Sequence, residues 1–341
     1  MSDETLDVFG WLADRSGCGT IRIMQPLDAL TSELELKTGY SEGLALKGMM
    51  PKILVGQRVC KDRPTAIWGA IAQQENRPKL VFELDDDVWN IDPSNKQAYT
   101  WFHHGYEVST GLYHAVQENL VQTISLSDRV TCTTEPLAEL LRQWNDDVRV
   151  VPNTIPQWLT EHDRSRRDRL TVGWVGSATH NMDWDTASNE VRRFLNRNPH
   201  IDFHIIGAPY GDWLRLPEDQ VVESNWIPNV EDCWRAIDFD IGIAPLRPHV
   251  FNRSKSAIKF LEYAALGIPT IASDVGPYAD NIEHGVTGLL VKRDHEWQKY
   301  LRDLSNDEAM RTEIGSNARD WARTQTLEGN IDKWKAALCE W

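Results

Sequence analysis

Three charged residues in the stretch NRSKSAIKFLEYAALGIPTIASDVG (252–276) are spaced for one face of a helix. They are Lys255, Lys259 and Glu262, four and three residues apart. Ser254 or Ser256 can cap the start of that helix. Gly267 stands where a left-handed residue ends it, and Pro269 prevents continuation. Ile258, Leu261 and Ala265 fall on another face. Such a helix offers free backbone N–H groups at its start, two lysines beside them and a carboxylate two turns down. A nucleoside diphosphate matches this set, with phosphates on the N–H groups and lysines and ribose hydroxyls on the carboxylate. The same spacing fits a surface helix with a Lys259–Glu262 ion pair, and spacing alone weighs the two readings evenly.

A second acidic cluster lies in LVFELDDDVW (80–89), where Asp85, Asp86 and Asp87 follow a short apolar run. An Asp85-x-Asp87 pair can bind a divalent cation that neutralises a departing diphosphate. It can instead hydrogen-bond a ligand's hydroxyls at the end of a strand, or form a solvated loop in which one aspartate caps the next helix. His103 and His104, in TWFHHGY, are expected in a loop, with His103 a minor catalytic candidate.

Positioning these residues requires a scaffold. The 341 residues suit two domains, and 41% hydrophobic with 26% charged residues describes a globular chain. A net charge of −15 argues against sequence-independent binding to a nucleic-acid backbone and weakly against DNA or anionic membranes as partners. No basic, apolar leader opens the chain and no long apolar run crosses it, so stable membrane insertion is not expected. Five scattered cysteines without CxxC spacing point to a reducing, cytoplasmic setting and to no metal framework. The 15 tryptophans are better read as packing residues than as sugar platforms.

Short apolar runs alternate with helical periodicity in two successive blocks. Strands are expected at 6–13, 51–58, 79–85, 129–134 and 148–155. They are expected again at 170–177, 201–208, 220–226, 240–246, 269–274 and 287–293. That pattern gives an α/β chain with two doubly wound, Rossmann-like domains, whose ligands collect at the carboxyl ends of the strands. The boundaries read 1–158 for a first domain, 159–169 for a linker and 170–318 for a second domain. A C-terminal helix at 319–341 is expected to pack back on the first domain. The basic cluster Arg164, Arg166, Arg167 and Arg169 is expected to be a solvated part of that linker.

The segment Lys259-x-x-Glu262-Tyr263-x-Ala265-x-Gly267-x-Pro269, followed by TIASDVG, resembles the donor-binding signature of GT-B glycosyltransferases, in particular the retaining, family 4-like group (glycosyl transferases group 1). EHGVTGLLV (283–291), DIGIAPL (240–246), LTVGWVGS (170–177) and the unit from RVTCTT to VRVVPNTI (129–155) resemble further family segments in the same order. GCGTIRIMQPLDAL (17–30) is similar to the family's glycine loop, with Gly17, Gly19 and Arg22 at the cleft. The resemblance implies that Glu262 holds the donor ribose and that the N–H groups around Ser254–Ala257 face the diphosphate. It also implies that Gly176 and Ser177 form the turn against the donor. Two departures stand out. Ser254 occupies the place of the family's first glutamate, and GSATHNMD replaces the usual Arg and Lys after the first strand of the second domain. His180, Arg253 and Lys255 are candidates for the missing positive charge, and Lys255 also for catalysis.

The resemblance implies metal-independent transfer of a hexose-type sugar from a UDP- or GDP-sugar, with retention and no cofactor, the sugar nucleotide being a substrate. In that chemistry the leaving diphosphate can accept the acceptor's proton, so the protein need only stabilise charge and orient substrates. Asp85 and Asp87 then fall on the acceptor side. Glycan, protein, small-molecule, lipid and modified-DNA acceptors all remain open, as do the donor base, the sugar and the oligomeric state. A sugar-nucleotide epimerase on the same fold and a non-catalytic nucleotide-sugar-binding module are the alternatives.

Overall fold

A computed structural model of the chain describes residues 5–44, 50–211, 215 and 218–341. The first four residues of the expected first domain lie outside the described residues. The chain forms two compact units. One comprises Met1–Thr154, Ser254–Ser256 and Leu327–Trp341, and the other Ile155–Arg253 and Ala257–Thr326.

The first unit is built on six strands: β1 (Val8–Trp11), β2 (Thr38–Ser41), β3 (Ile53–Gln57), β4 (Lys79–Leu84), β7 (Arg129–Cys132) and β8 (Val148–Val150). They pair in parallel in the order β2-β1-β3-β4-β7-β8. A small antiparallel pair, β5 (Tyr106–Glu107) and β6 (Leu112–Tyr113), stands apart from this sheet. Central strands such as β3 (ILVGQ) are buried along their whole length, as helices on both faces of a parallel sheet require. The direction of winding reverses between β1 and β3, so the loops after these two strands diverge and leave a crevice.

The C-terminal helix Ile331–Cys339 belongs to this unit. Its Trp334, Ala337 and Leu338 pack with Val8, Leu27, Leu30 and Val55. Arg129 Nη1 donates to the carbonyls of Ala337 (3.0 Å) and Glu340 (2.7 Å), satisfying acceptors that the end of a helix leaves open.

The second unit holds β9 (Thr171–Gly176), β10 (Asp202–Gly207), β11 (Val221–Asn225), β12 (Ile241–Ala244), β13 (Thr270–Ser273) and β14 (Leu289–Val291). All pairs are parallel, in the order β11-β10-β9-β12-β13-β14. This is the Rossmann order, and its crevice falls between the carboxyl ends of β9 and β12. Gly173 in β9 lets Phe239 lie against the strand, since a Cβ there would stand 1.9 Å from the Phe239 ring. Among the described residues no helix is long and apolar enough to cross a membrane.

Two expectations are corrected here. The 159–169 stretch is only in part the solvated segment expected: Arg166 is exposed, but Arg164, Arg167 and Arg169 are tied to the second unit. It begins in the helix Gln157–Glu161 and then runs along the second unit through ion pairs. Arg164 meets Asp240 (3.4 Å), Arg167 meets Asp238 (2.8 Å) and Arg169 meets Asp202 (2.8 Å). His103 and His104 end the helix Lys96–His104 instead of lying in a loop. Asn95 caps its start and Gly105, at φ +65°, closes it.

Candidate functional site

In the second unit, β9 ends at Gly176, where a Cβ would stand 2.4 Å from the Trp174 ring. Ser177 follows, its hydroxyl 2.7 Å from that of Thr179, and a short 3-10 turn delivers His180. Asp183 holds His180 from one side, Oδ2 to Nδ1 at 2.8 Å. On the other side His180 Nε2 lies 3.0 Å from Lys259 Nζ. Asp183 also accepts from the Asn252 amide (2.8 Å) and the Arg247 backbone N–H (3.1 Å), tying the segments after β9 and β12 together. Lys259 Nζ stands 5.7 Å from the centre of the Trp174 ring, a cation–π contact that keeps this buried cation beside the crevice.

Lys259 and Glu262 share the helix Ile258–Ala265. That helix buries Phe260, Leu261, Tyr263 and Ala264: Phe260 packs on Trp321 of the helix Glu308–Arg323 (4.6 Å between ring centres), and Tyr263 Oη accepts from the Val175 N–H at 2.9 Å. Gly267, at φ +66°, ends it as expected for a left-handed residue. Glu262 is half-buried, and its Oε1 accepts from Trp234 Nε1 at 2.8 Å. Burial pushes the Glu262 carboxyl above the usual range, partly offset by the Trp234 hydrogen bond and by Lys259.

The structure brings Gly176, Ser177, His180, Lys259 and Glu262 onto the carboxyl end of the second sheet. It does not bring Ser254, Lys255 and Ser256 onto the same helix face. The helix starts at Ile258 with Ala257 as its N-cap and no side-chain cap, so neither serine caps it. These three residues cluster with the first unit instead. Thr134 Oγ1 donates to the Ser254 carbonyl (2.7 Å), Asn153 Nδ2 donates to Ser256 Oγ (2.8 Å), and Lys255 Nζ lies 3.7 Å from Asp86. Arg253 ends the short helix Val250–Arg253 and is exposed.

In the first unit the acidic run resolves into separate tasks. Asp87 is 2% exposed and caps the 3-10 turn Val88–Asn90, accepting from the Asn90 N–H (3.2 Å) and amide (2.8 Å). Burial raises its pKa against those hydrogen bonds. Asp85 faces Arg58 at 3.6 Å. Burial is the largest influence and opposes its charge, but Arg58, a hydrogen bond from Cys18 and the more distant Arg22 together hold the carboxyl below the usual range. Among the described residues no group of three or more His, Cys, Asp or Glu side chains is arranged to hold a metal ion.

Arg22 is not a ligand-facing residue of the glycine loop. It is 1% exposed, and its guanidinium forks onto Glu83 at 2.7 and 3.2 Å. It also donates to the Val151 carbonyl at 2.6 Å and stands 4.7 Å from the centre of the Trp334 ring. Gly17 and Gly19 form the turn before it, where a Cβ on Gly19 would strike the Asp14 carbonyl. His103 stacks on Tyr99 (4.2 Å between ring centres) and pairs through Nδ1 with Gln117 (3.1 Å).

Sequence reading missed Trp234 and Asp183, the two side chains that hold Glu262 and His180. A lone Trp and a lone Asp carry no periodic signal. It also missed a cavity of about 460 Å³ in the first unit, lined in part by Trp11, Asp14, Gln57, Arg58 and Trp101.

Two doubly wound parallel sheets, with this cluster at the carboxyl end of the second, define the GT-B type of α/β protein. Residues 169–307 match the family described as glycosyl transferases group 1, a stretch that contains the whole cluster. No curated protein matches the chain in sequence. Among solved structures it is similar to Anabaena Alr3699/HepE in complex with UDP and glucose, at 13% identity and TM-score 0.65, covering 97% of this chain and 98% of that one. It is similar to a glycosyltransferase from Rickettsia africae at 11% identity and TM-score 0.64, with 97% of each chain covered. A mutant of S. aureus TarM in complex with Fondaparinux, alpha-GlcNAc-glycerol and UDP matches at 14% identity and TM-score 0.56 over 83% of this chain. This chain spans about half the length of TarM, covering 54% of it. These likenesses show the GT-B fold, and the family match supports glycosyl transfer.

Proposed function

We propose that the protein transfers a hexose-type sugar from a UDP- or GDP-sugar to an acceptor hydroxyl, with retention and without a metal or other cofactor. Glu262 accepts the ribose hydroxyls. Lys259, held beside His180, supplies positive charge to the diphosphate, together with the backbone N–H groups in the first turn of Ile258–Ala265. Gly176 and Ser177 give the backbone room to approach the donor. Lys255, Arg253, Ser254 and Ser256 remain donor-side candidates under this reading, and Asp85 and Asp87 acceptor-side ones. Lys255 pairs with Asp86, Ser256 with Asn153, Asp85 with Arg58 and Asp87 with Asn90, so each of these four must exchange one interaction for another to act. Asp87 is the weakest of these, because its carboxylate is spent on a cap. The five free thiols are consistent with the reducing, cytoplasmic setting we assign.

One observation carries the reading. Glu262 is a half-buried carboxylate held by a single indole N–H, one helical turn from a cation locked onto a histidine, at the crevice of a Rossmann-ordered sheet. An ionised carboxylate keeps several acceptor sites, so one used by Trp234 leaves others for a vicinal diol. UDP-hexose and GDP-hexose turnover assays with a panel of acceptors test the proposal. Release of nucleoside diphosphate only in the presence of an acceptor supports transfer. Sugar-nucleotide interconversion without acceptor would favour the epimerase, and binding without turnover the non-catalytic module.

A further inference from the structure

The first sheet has its own reversal of winding, between β1 and β3, and the cavity of about 460 Å³ lies there. Its walls come from the residues that end β1 (Trp11) and β3 (Gln57) and from those that follow, Asp14 and Arg58, closed over by Trp101 and Glu107. A reversal point at the carboxyl ends of parallel strands is where doubly wound sheets bind ligands, and the volume suits a small molecule. The wall also departs from relaxed structure in two ways. Arg58 sits at φ +47°, in the left-handed region that a bulky residue rarely occupies. Gln57, 2% exposed, spends its Oε1 on the Ala13 N–H (3.1 Å) while its Nε2 has no partner. A buried amide donor without an acceptor is costly, and the cavity it borders is where an acceptor can be supplied.

The charges around the cavity narrow the ligand. Both cations are already ion-paired with carboxylates, Arg58 with Asp14 at 3.0 Å and Asp85 at 3.6 Å, and Lys61 with Glu107, although Arg58 Nε makes no hydrogen bond. Glu42 adds a further negative charge to the lining. An anionic group would have to break one of these pairs, whereas a neutral polyol could donate to the carboxylates and accept from the amide. Indole rings beside carboxylates suit the apolar face and hydroxyl edge of a sugar ring. We propose that this cavity binds the pyranose ring of an uncharged saccharide, Trp101 taking its apolar face and Asp14 and Gln57 its hydroxyls. Under the glycosyltransferase reading, on which this last step rests, the acceptor is therefore a sugar hydroxyl.

Saturation-transfer difference NMR on the full chain tests this, with methyl glycosides of glucose, mannose, galactose and N-acetylglucosamine as probes and UDP measured in parallel. At least one glycoside should contact the protein. Gln57→Leu and Trp101→Ala should each weaken it roughly tenfold, the effect of one lost hydrogen bond or ring contact, with UDP contact unchanged. Trp101 is only half-buried, so its variant stays informative if Gln57→Leu folds poorly. No glycoside contact, or contact unchanged in both variants, overturns the assignment. Tighter binding of glucose 6-phosphate than of methyl glucoside overturns the neutral-ligand assignment. UDP contact without glycoside contact sinks the cavity assignment alone. Glycoside contact without UDP supports the cavity and counts against the glycosyltransferase reading.

Discussion

Replacing Arg22 with Met should unfold the first unit well before it alters nucleotide binding. The guanidinium makes two bonds to Glu83, one to the Val151 carbonyl and one to Asn153, and is 1% exposed. Met fills much of the same volume but leaves a buried carboxylate with Thr131 as its remaining side-chain donor, and the Val151 carbonyl loses the Arg22 donor. Breaking one side of a buried pair costs about 3–5 kcal/mol. For a unit of this size that corresponds to a fall in Tm of roughly 6–20 °C. Burial already raises the Glu83 pKa against the opposing pull of Arg22, and without Arg22 it should rise further. A carboxyl with a raised folded-state pKa contributes stability below its unfolded pKa and loses it as pH rises through the folded one. The Arg22→Met penalty should therefore shrink on acidification. Replacing both partners, Arg22→Met with Glu83→Leu, should recover much of the loss, since no lone charge remains buried. Thermal unfolding followed by circular dichroism at two pH values reads all of this. An unchanged Tm with weakened UDP binding would refute the reasoning and return Arg22 to the ligand site.

Asp87→Ala should cost about 1 kcal/mol, the loss of a cap, and show in Tm without any change in response to Mn²⁺. Gly173→Ala should cost about 1–3 kcal/mol by overpacking, because its Cβ would stand 1.9 Å from the Phe239 ring; urea unfolding checks it. UDP affinity should fall on acidification, beginning above the ordinary glutamate range, because the raised pKa of Glu262 protonates the carboxylate that accepts the ribose hydroxyls. Glu262→Gln should remove that pH step in calorimetric titrations.

Strand–helix alternation made both sheets legible in sequence, because fully buried parallel strands leave short apolar runs between amphipathic helices. The edge strand β2 escaped notice, since TGYS is half-exposed and carries no such run. The helix at Ile258–Ala265 was visible from its apolar face and from Gly267. Its true start was not, because Ser254 and Ser256 look like caps, yet the Ser254 carbonyl is held by Thr134 and the Ser256 hydroxyl by Asn153. Partners more than a hundred positions away leave no mark on local spacing. Arg22 illustrates the same limit: its chemistry fits a phosphate site, and only the fold reveals Glu83 beside it. Glu262 and Lys259 were legible because both lie on one short helix. Their supports, Trp234 and His180, come from other segments of the fold.

Calorimetry of UDP and GDP, with and without EDTA, on the wild-type chain and on Glu262→Ala, tests the central claim most directly. Two charge-assisted hydrogen bonds to ribose are worth about 3–6 kcal/mol together, net of exchange with water, so the variant should bind at least roughly a hundredfold more weakly. Metal-independent binding of one nucleotide that is lost in Glu262→Ala is the predicted result. Binding that depends on a divalent cation, or that Glu262→Ala leaves intact, would contradict the account.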